Sequence, residues 1–299
     1  MVYHIDPMMN LSPDNENKYT QGDLNTSLQR LRSARGFVLD MDGTLVLGNK
    51  SNHGLNPLPG ALEFVGLLQE RGLPFVVFTN GTPRIPTAYA AMLREAGFTL
   101  DDEQMMTPAC SAVDVFLRRK YRRVCVLGGD GMTRPLQEAG IETIPAQGKP
   151  EADAVFVGWF YDFNMHHLEA ACQAVWNGAR LYSASQSLFF ATAEGRAIGP
   201  SRAICAMIRD LTGARINIVG KPSQHALRSA CRRLGIKPDQ LAVVGDDPSL
   251  EIPMALRGHA LAVAVNTGIG APDVYAKMKQ KNRPHLFVEN VQELLRLLQ

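Results

Sequence analysis

The chain has 299 residues, of which 45% are hydrophobic and 20% are charged, so it can bury the core of one large domain or two moderate ones. Its formal net charge of +2 predicts no nucleic-acid partner, because proteins that bind phosphate backbones concentrate positive charge. The sequence has no apolar run of about 18 residues that could span a membrane, and no basic start followed by an apolar stretch, so we expect neither a membrane partner nor secretion.

The five cysteines are scattered along the chain and form no Cys-x-x-Cys pair; they are Cys110, Cys125, Cys172, Cys205 and Cys231. Disulfide scaffolds and zinc sites both need closer clustering than this. We therefore expect reduced thiols in a cytoplasmic protein, most of them acting as small apolar core residues.

Residues 1–33 are rich in Asn, Asp, Gln and Ser, which predicts a flexible N-terminal tail; a short helix around Leu24–Leu31 is the alternative. After the tail, short apolar runs alternate with amphipathic segments. The predicted strands are Phe37–Leu39, Phe75–Phe78, Val124–Leu127, Ala154–Val157, Ile216–Val219, Leu241–Val244 and Leu261–Val265. The predicted helices include Ala61–Arg71, Thr87–Ala96, His167–Trp176 and Gln224–Leu234. This alternation predicts an α/β fold with a parallel sheet, in which ligands bind beyond the carboxyl ends of the strands.

Two acidic residues follow the first predicted strand, in the run Asp40-Met41-Asp42-Gly43-Thr44. Side chains alternate along an extended chain, so Asp40 and Asp42 lie on one side and Met41 on the other. Two carboxylates this close repel each other unless a cation or a shared proton intervenes. An Asp-rich turn that caps a helix is the alternative interpretation of this motif alone.

Two further strand ends carry groups that suit a phosphate. Thr79 and Asn80 offer a hydroxyl and backbone N–H groups, although Thr-Asn-Gly is also ordinary turn chemistry. Lys221 lies in a Gly-Lys-Pro run before a predicted helix and offers a compact ammonium. The same tripeptide at 148–150 follows a loop rather than a strand, so we interpret Lys149 as a solvated lysine.

The fourth strand end with candidate site residues reads Gly245-Asp246-Asp247, with Glu251 five residues after Asp246. A divalent cation would neutralise this second acidic pair and join it to Asp40. The run Gly128–Gly131 also places an acid after a strand, but it lacks a second acid beside it.

These four motifs, in this order and each at a strand end, resemble the haloacid dehalogenase (HAD) superfamily of phosphatases. The resemblance covers about residue 35 to the C-terminus and extends to subfamily IIA, the NagD-like, p-nitrophenyl phosphatase-like and pyridoxal phosphatase-like enzymes. It implies a Rossmann-like HAD core formed by residues 34–119 and 215–299, with an inserted C2-type α/β cap formed by residues 120–214.

The resemblance implies that a small-molecule phosphate monoester is hydrolysed through an aspartyl phosphate on Asp40, with Asp42 as the general acid and base. Mg²⁺ is expected on Asp40, the backbone carbonyl of Asp42, and Asp246. The remaining phosphate oxygens are expected on three groups, namely the Thr79 side chain, the Asn80 backbone and the Lys221 side chain.

One position departs from the branch, since Glu251 stands where its members usually carry Asp. We expect Glu251 to order Lys221 or a metal-bound water rather than to bind the metal directly. Asp247 is expected either to play a similar supporting part or to be a solvated residue at a helix start.

The resemblance also implies dimerisation through the cap. The aromatic stretches Trp159–Tyr161 and Leu188–Phe190 are expected either to pack the cap core or a dimer interface, or to line the leaving-group pocket. Two alternative functions are compatible with the same scaffold. One is a phosphotransferase or phosphomutase, and the other is a binding protein with little turnover.

Overall fold

The computed structural model describes residues 21–48, 54–192 and 195–299. The strands in these residues form two parallel sheets and two antiparallel hairpins. They are β1 (Gly36–Leu39), β2 (Val46–Leu47), β3 (Asn56–Pro57), β4 (Phe75–Phe78), β5 (Met105–Met106), β6 (Arg123–Leu127), β7 (Glu142–Pro145), β8 (Ala154–Val157), β9 (Arg180–Ser183), β10 (Phe189–Thr192), β11 (Gly195–Ile198), β12 (Asn217–Ile218), β13 (Leu241–Gly245), β14 (Leu261–Val265) and β15 (Leu286–Val288).

The helices connect these strands and cover the two parallel sheets. They are α1 (Gln21–Arg32), α2 (Ala61–Glu70), α3 (Pro86–Glu95), α4 (Pro108–Arg118), α5 (Asp130–Glu138), α6 (Met165–Trp176), α7 (Pro200–Thr212), α8 (Gln224–Leu234), α9 (Glu251–Arg257), α10 (Pro272–Lys277) and α11 (Val291–Leu298). Over the described ranges, none of the helices has the length and apolar character that crossing a membrane requires.

The first sheet has six parallel strands in the order β15-β14-β13-β1-β4-β5. β1 lies inside this sheet, with Val38 opposite Val243 of β13 on one side and opposite Val76 of β4 on the other. The chain leaves β1 toward β4 and returns later to β13 on its other side. Such a reversal of strand order opens a crevice at the carboxyl ends of the strands, where Asp40 follows β1.

Both faces of the first sheet are buried. Phe37 and Leu39 pack into a core with α1, α2, α3 and α11, whereas Val38 packs into the opposite core with α8 and α9. This alternation explains why the strand is apolar throughout, as parallel strands covered on both sides are. Each such side chain contributes about 1.5–3 kcal/mol to the free energy of folding when it is fully buried.

Helix α1 lies within the stretch predicted to be a flexible tail and confirms the alternative, a short helix around Leu24–Leu31. Leu24, Leu28 and Leu31 are spaced to form one face of the helix; Leu31 is fully buried, and the other two pack against the first core. Arg30 donates a hydrogen bond to the carbonyl of His259 at 3.0 Å. Residues 21–32 therefore belong to the packed fold. Residues 1–20 of the predicted tail lie outside the described residues.

The second sheet has five parallel strands in the order β12-β9-β8-β6-β7 and lies between β5 and β13 in the chain. Helices α6 and α7 cover one of its faces, and α4 and α5 cover the other. Its edge strand β12 pairs Asn217 with Tyr182 and Ile218 with Ser183. The strand predicted at 216–219 therefore joins the second sheet, which extends past residue 214. Consequently, Lys221 reaches the carboxyl end of the first sheet from the second.

Candidate active site

Asp40 lies at the carboxyl end of β1 and lines a cavity of about 470 Å³. Its backbone N–H continues the sheet ladder by donating to the Val244 carbonyl at 2.9 Å, which fixes the residue at the strand end. Its Oδ2 accepts a hydrogen bond from the Thr44 hydroxyl at 3.3 Å. The residue is only about 7% exposed, so the negative charge of its side chain depends on neighbouring groups for compensation.

Asp42 lines the same cavity while Met41 is fully buried in the core, as the alternation predicted. The Thr79 hydroxyl donates to Asp42 Oδ2 at 3.2 Å and accepts from the Gly81 N–H at 3.0 Å. Asp42 keeps exposed surface, and it lines the cavity. Desolvation by the surrounding protein, followed by the charge of Asp40, raises the pKa of Asp42 to about 7, although Lys221 and Thr79 oppose the shift.

Lys221 is 1% exposed and lies between two carboxylates. Its Nζ donates a hydrogen bond to Asp40 Oδ1 and forms an ion pair with Glu251 Oε1 at 2.7 Å. Burial lowers the pKa of this ammonium, but the charges of Asp40 and Glu251 outweigh that effect and raise it. Lys221 is therefore held as a cation beside Asp40.

Asp246 follows β13 and is 3% exposed, in a cradle formed by two glycines. A Cβ on Gly268 would lie 1.9 Å from Asp246 Oδ2, and one on Gly43, whose φ is +84°, would lie 2.7 Å from the same atom. The Ile269 N–H donates to Oδ2 at 2.6 Å. Burial, followed by the charges of Asp40 and Glu251, raises the pKa of Asp246.

Sequence reasoning missed Gly268 and Ile269 as part of the site. The signal was present, because the run Asn266-Thr267-Gly268-Ile269-Gly270 directly follows the predicted strand Leu261–Val265 at the same edge of the sheet. Because this run contains no charged residue, the predicted site did not include it.

Glu251 begins helix α9 and is 1% exposed. Its contact with Lys221 places it where it can order that ammonium, and its Oε2 accepts from the Asp247 N–H at 3.2 Å. A Cβ on Gly245 would lie 2.2 Å from Glu251 Cγ, so a glycine makes room for the longer acid. Burial raises the pKa of Glu251 to about 7, against the opposing charge of Lys221.

Asp247 forms the turn before α9. Its Oδ1 accepts hydrogen bonds from both the N–H and the hydroxyl of Ser249, each at 2.6 Å. The residue is half-buried and also lines the cavity.

The donor set at the cavity fits a hard divalent cation. Asp40 and Asp246 are buried carboxylates whose like charges need compensation, and carboxylate oxygens are the ligands that such a cation prefers. Across residues 21–48, 54–192 and 195–299, no cluster of three or more His, Cys, Asp or Glu side chains has a metal-binding arrangement. The expected magnesium set does not require one, because its third protein ligand is the Asp42 backbone carbonyl.

The second sheet contributes aromatic rings to the cavity. Trp159 and Tyr161 line it, with ring centroids 5.6 Å apart, whereas Phe160 packs into the core of the second sheet and lies 4.9 Å from the His167 ring. The first aromatic stretch is therefore divided between the cavity wall and the core of the second sheet. Leu188 is exposed, and the Phe189 and Phe190 side chains lie outside the described part of the chain.

Two sequence runs resemble the site motifs without belonging to the site, namely residues 148–150 and 128–131. Lys149 is exposed in its loop, and Asp130 is exposed at the start of α5. Neither residue lines the cavity.

Comparison with known families gives two matches. The family described as haloacid dehalogenase-like hydrolase matches residues 37–142, and the one described as HAD-hydrolase-like matches residues 218–294. The two matched segments include β1, β4 and β13, whose carboxyl ends carry the predicted motifs.

Individual relatives match most of the chain. The 5′-nucleotidase YutF of Bacillus subtilis and the ribonucleotide monophosphatase NagD of Escherichia coli are each 26% identical over 240 residues, which is 80% of this chain and 90% of theirs. The solved structure of NagD superposes with a TM-score of 0.78, covering 87% of this chain and 98% of NagD. The 4-nitrophenylphosphatase of Thermotoga maritima, at 24% identity, shares the fold with a TM-score of 0.81 over 90% of this chain and 99% of its own. The chain therefore belongs to the haloacid dehalogenase-like hydrolases, in the phosphatase branch that includes NagD.

Proposed function

We propose that this protein hydrolyses the phosphate monoester of a small molecule through a phosphorylated Asp40. The observation that carries the proposal is the buried Lys221 ammonium on Asp40, in a cavity that Asp42 and Asp246 also line. Phosphoryl transfer is catalysed mainly by positioning and by compensating charge, and this site concentrates both around one carboxylate.

In the proposed reaction a carboxylate oxygen of Asp40 attacks phosphorus, and the ester oxygen leaves with a proton from Asp42. A water molecule then attacks the aspartyl phosphate, Asp42 takes a proton from it, and inorganic phosphate departs. A pKa of about 7 suits Asp42 to both proton transfers near neutral pH. The phosphate oxygens would rest on the Thr79 hydroxyl, the Asn80 backbone and Lys221.

We infer that the cofactor is Mg²⁺, held by Asp40, the Asp42 carbonyl and Asp246. When bound, it would neutralise the acidic cluster and the charge that develops on the transferred phosphoryl group. Glu251 and Asp247 would support this arrangement, the first by fixing Lys221 and the second by donating its N–H to Glu251.

The cavity supports a leaving group of modest size with a planar or apolar portion. Its volume falls within the range of about 300–1,000 Å³ that is usual for small-molecule sites. Trp159 and Tyr161 contribute aromatic side chains to the wall on the side of the second sheet. Two relatives are named for nucleotides and for 4-nitrophenyl phosphate, whose leaving groups carry rings.

The test is an initial-rate screen with Mg²⁺ against p-nitrophenyl phosphate and a panel of nucleotides and of sugar, glycolate, glycerol and pyridoxal phosphates. We expect phosphate release that Asp40→Asn abolishes while the melting temperature stays within a few degrees. Acid quenching during turnover should trap the phosphoryl group on the protein. Transfer to an added alcohol in preference to water would instead indicate the phosphotransferase, and no release from any substrate would indicate a binding protein.

We further propose that the protein is cytoplasmic and forms a homodimer through its second sheet. All five cysteines are free thiols, and the exposed apolar side chains on α6 and α7 include Trp176 and Leu211. Sedimentation equilibrium tests the dimer. A monomer at micromolar concentration contradicts it.

A further inference from the structure

The site draws its cation and its nucleophile from different sheets. Asp40 ends β1 in the first sheet, whereas Lys221 follows β12, a two-residue edge strand of the second sheet. The Lys221 ammonium nevertheless lies between Asp40, which follows β1, and Glu251, which begins α9 after β13 of the first sheet. Something must therefore hold the backbone of Lys221 in register with the end of the first sheet.

We propose that the carboxamide of Asn80 is this device, and that Asn80 is a positioning residue for Lys221. This inference rests on the proposed function and goes beyond the backbone contact with phosphate expected of Asn80. Asn80 Oδ1 accepts a hydrogen bond from the Lys221 N–H at 2.9 Å, and Asn80 Nδ2 donates one to the Lys221 carbonyl at 3.0 Å. One side chain thus satisfies both backbone polar groups of Lys221.

The chemistry of this pair is selective. A donor and an acceptor attached to the same carbon, as in a carboxamide, are found only in Asn and Gln side chains among the uncharged residues at neutral pH, and the longer Gln would displace the backbone it binds. The approach is also close, because a Cβ on Gly220 would lie 2.6 Å from Asn80 Oδ1 and 2.1 Å from the Ala184 carbonyl. The glycine of the Gly-Lys-Pro motif therefore allows the carboxamide to reach Lys221.

The same carboxamide extends the connection to the cavity wall. Asn80 Nδ2 lies 3.4 Å from the Ser185 hydroxyl, which is 3.0 Å from the Ser187 hydroxyl. All four side chains, including Lys221, line the cavity. Asn80 thus joins the end of β4 to the ends of β9 and β12, so that both sheets fix one ammonium.

The position of the Lys221 backbone matters because the buried side chain has no freedom to compensate for a shift of that backbone. Its ammonium is held by two carboxylates and is 1% exposed, so a displaced backbone moves the charge directly. A misplacement of about 1 Å in a catalytic group costs about 10²-fold in rate. We therefore expect Asn80→Ala to lower kcat/KM by about 10²-fold.

A double-mutant cycle with Lys221→Met separates positioning from direct contact. If Asn80 acts through Lys221, adding Asn80→Ala to Lys221→Met lowers kcat/KM for p-nitrophenyl phosphate less than threefold. An equal loss in both backgrounds would overturn the proposal. The affinity for inorganic phosphate, measured by calorimetry for the wild type, both single variants and the double variant, gives the same comparison without turnover. If Asn80→Ala yields no folded protein by circular dichroism, Asn80→Ser takes its place.

Asn217→Ala is the matched control, since Asn217 lies on β12 and its side chain donates to the carbonyls of Leu181 and Arg215 at 3.1 and 3.3 Å. It should leave kcat/KM within twofold of wild type. Hydrogen exchange of the Lys221 amide should speed up in Asn80→Ala but not in Asn217→Ala. Unchanged exchange in Asn80→Ala refutes the positioning role even if the wild type proves inactive, whereas an inactive wild type alone refutes only the proposed function.

Discussion

Replacing Gly268 by alanine tests whether the position of Asp246 controls metal-dependent turnover. The added Cβ would lie 1.9 Å from Asp246 Oδ2, whereas ordinary Cβ contacts begin at 3.4 Å, so the oxygen must recede by about 1.5 Å. The backbone of Gly268 is not in the left-handed region, so this contact is the main cost of the substitution. Overpacking of this kind destabilises a protein by about 1–3 kcal/mol.

The functional loss should exceed the loss of stability. Asp246 is a proposed magnesium ligand, and its Oδ2 also accepts from the Ile269 N–H at 2.6 Å, so the carboxylate cannot recede without giving up that bond. We expect kcat/KM for p-nitrophenyl phosphate to fall about 10²-fold and the Mg²⁺ concentration for half-maximal rate to rise. Initial rates measured across a magnesium titration provide the assay.

The matched control is Gly36→Ala, at the opposite end of β1 from Asp40. Its Cβ would lie 2.5 Å from Ile236 Cδ1, so it is also overpacked but has no contact with the cavity. It should lower the melting temperature while leaving the magnesium dependence unchanged. A Gly268→Ala enzyme with wild-type kcat/KM and wild-type magnesium dependence would refute the role given to this cradle.

Three predictions concern stability, each measured by denaturant unfolding. Burial lowers the pKa of His285 to about 4, so the unfolded chain binds a proton that the folded chain rejects between pH 6.5 and 4. Stability should therefore fall by about 1–2 kcal/mol as pH drops through that window, after allowance for the partial exposure of the ring, and His285→Asn should flatten this slope; an unchanged slope contradicts the assignment. Gly66→Ala in α2, where a Cβ meets nothing within 4 Å, should stabilise by about 0.5–1 kcal/mol, and a loss would show a hidden contact. Phe116→Ala, which removes a ring packed edge-on against Phe156 and Tyr182, should cost about 3–5 kcal/mol, and a cost under about 1 kcal/mol would contradict its place in the core.

Much of the site was predictable because the carboxyl ends of parallel strands meet at one edge of a sheet. The apolar runs before Asp40, Thr79 and Asp246 are β1, β4 and β13, which are neighbours in the first sheet. Any fold that pairs these strands in parallel brings the residues after them together. Local sequence was therefore sufficient to identify the acids and the hydroxyl that face the cavity.

The predicted tail shows where local patterns were insufficient. The polar composition of residues 21–32 hides three leucines at helical spacing, and isolated helices of this length are marginal in water. The helix is stabilised by the core face that receives Leu31, and that face exists only in the folded chain. Composition alone therefore could not distinguish this helix from a tail.

The sequence by itself determined which residue types stand at the strand ends, because hydrophobic periodicity and motif order are local properties of the chain. Only the tertiary structure decided that Lys221 arrives from the second sheet, that Asn80 holds its backbone, and that Gly268 shapes the space around Asp246. Lys221 is 141 positions from Asn80 and 181 positions from Asp40 in the chain, and each of these features depends on contacts of a few ångströms. The spacing of residues along the chain does not predict contacts of a few ångströms. The pairing of an edge strand and the space left where a glycine lacks a Cβ are both set by tertiary packing.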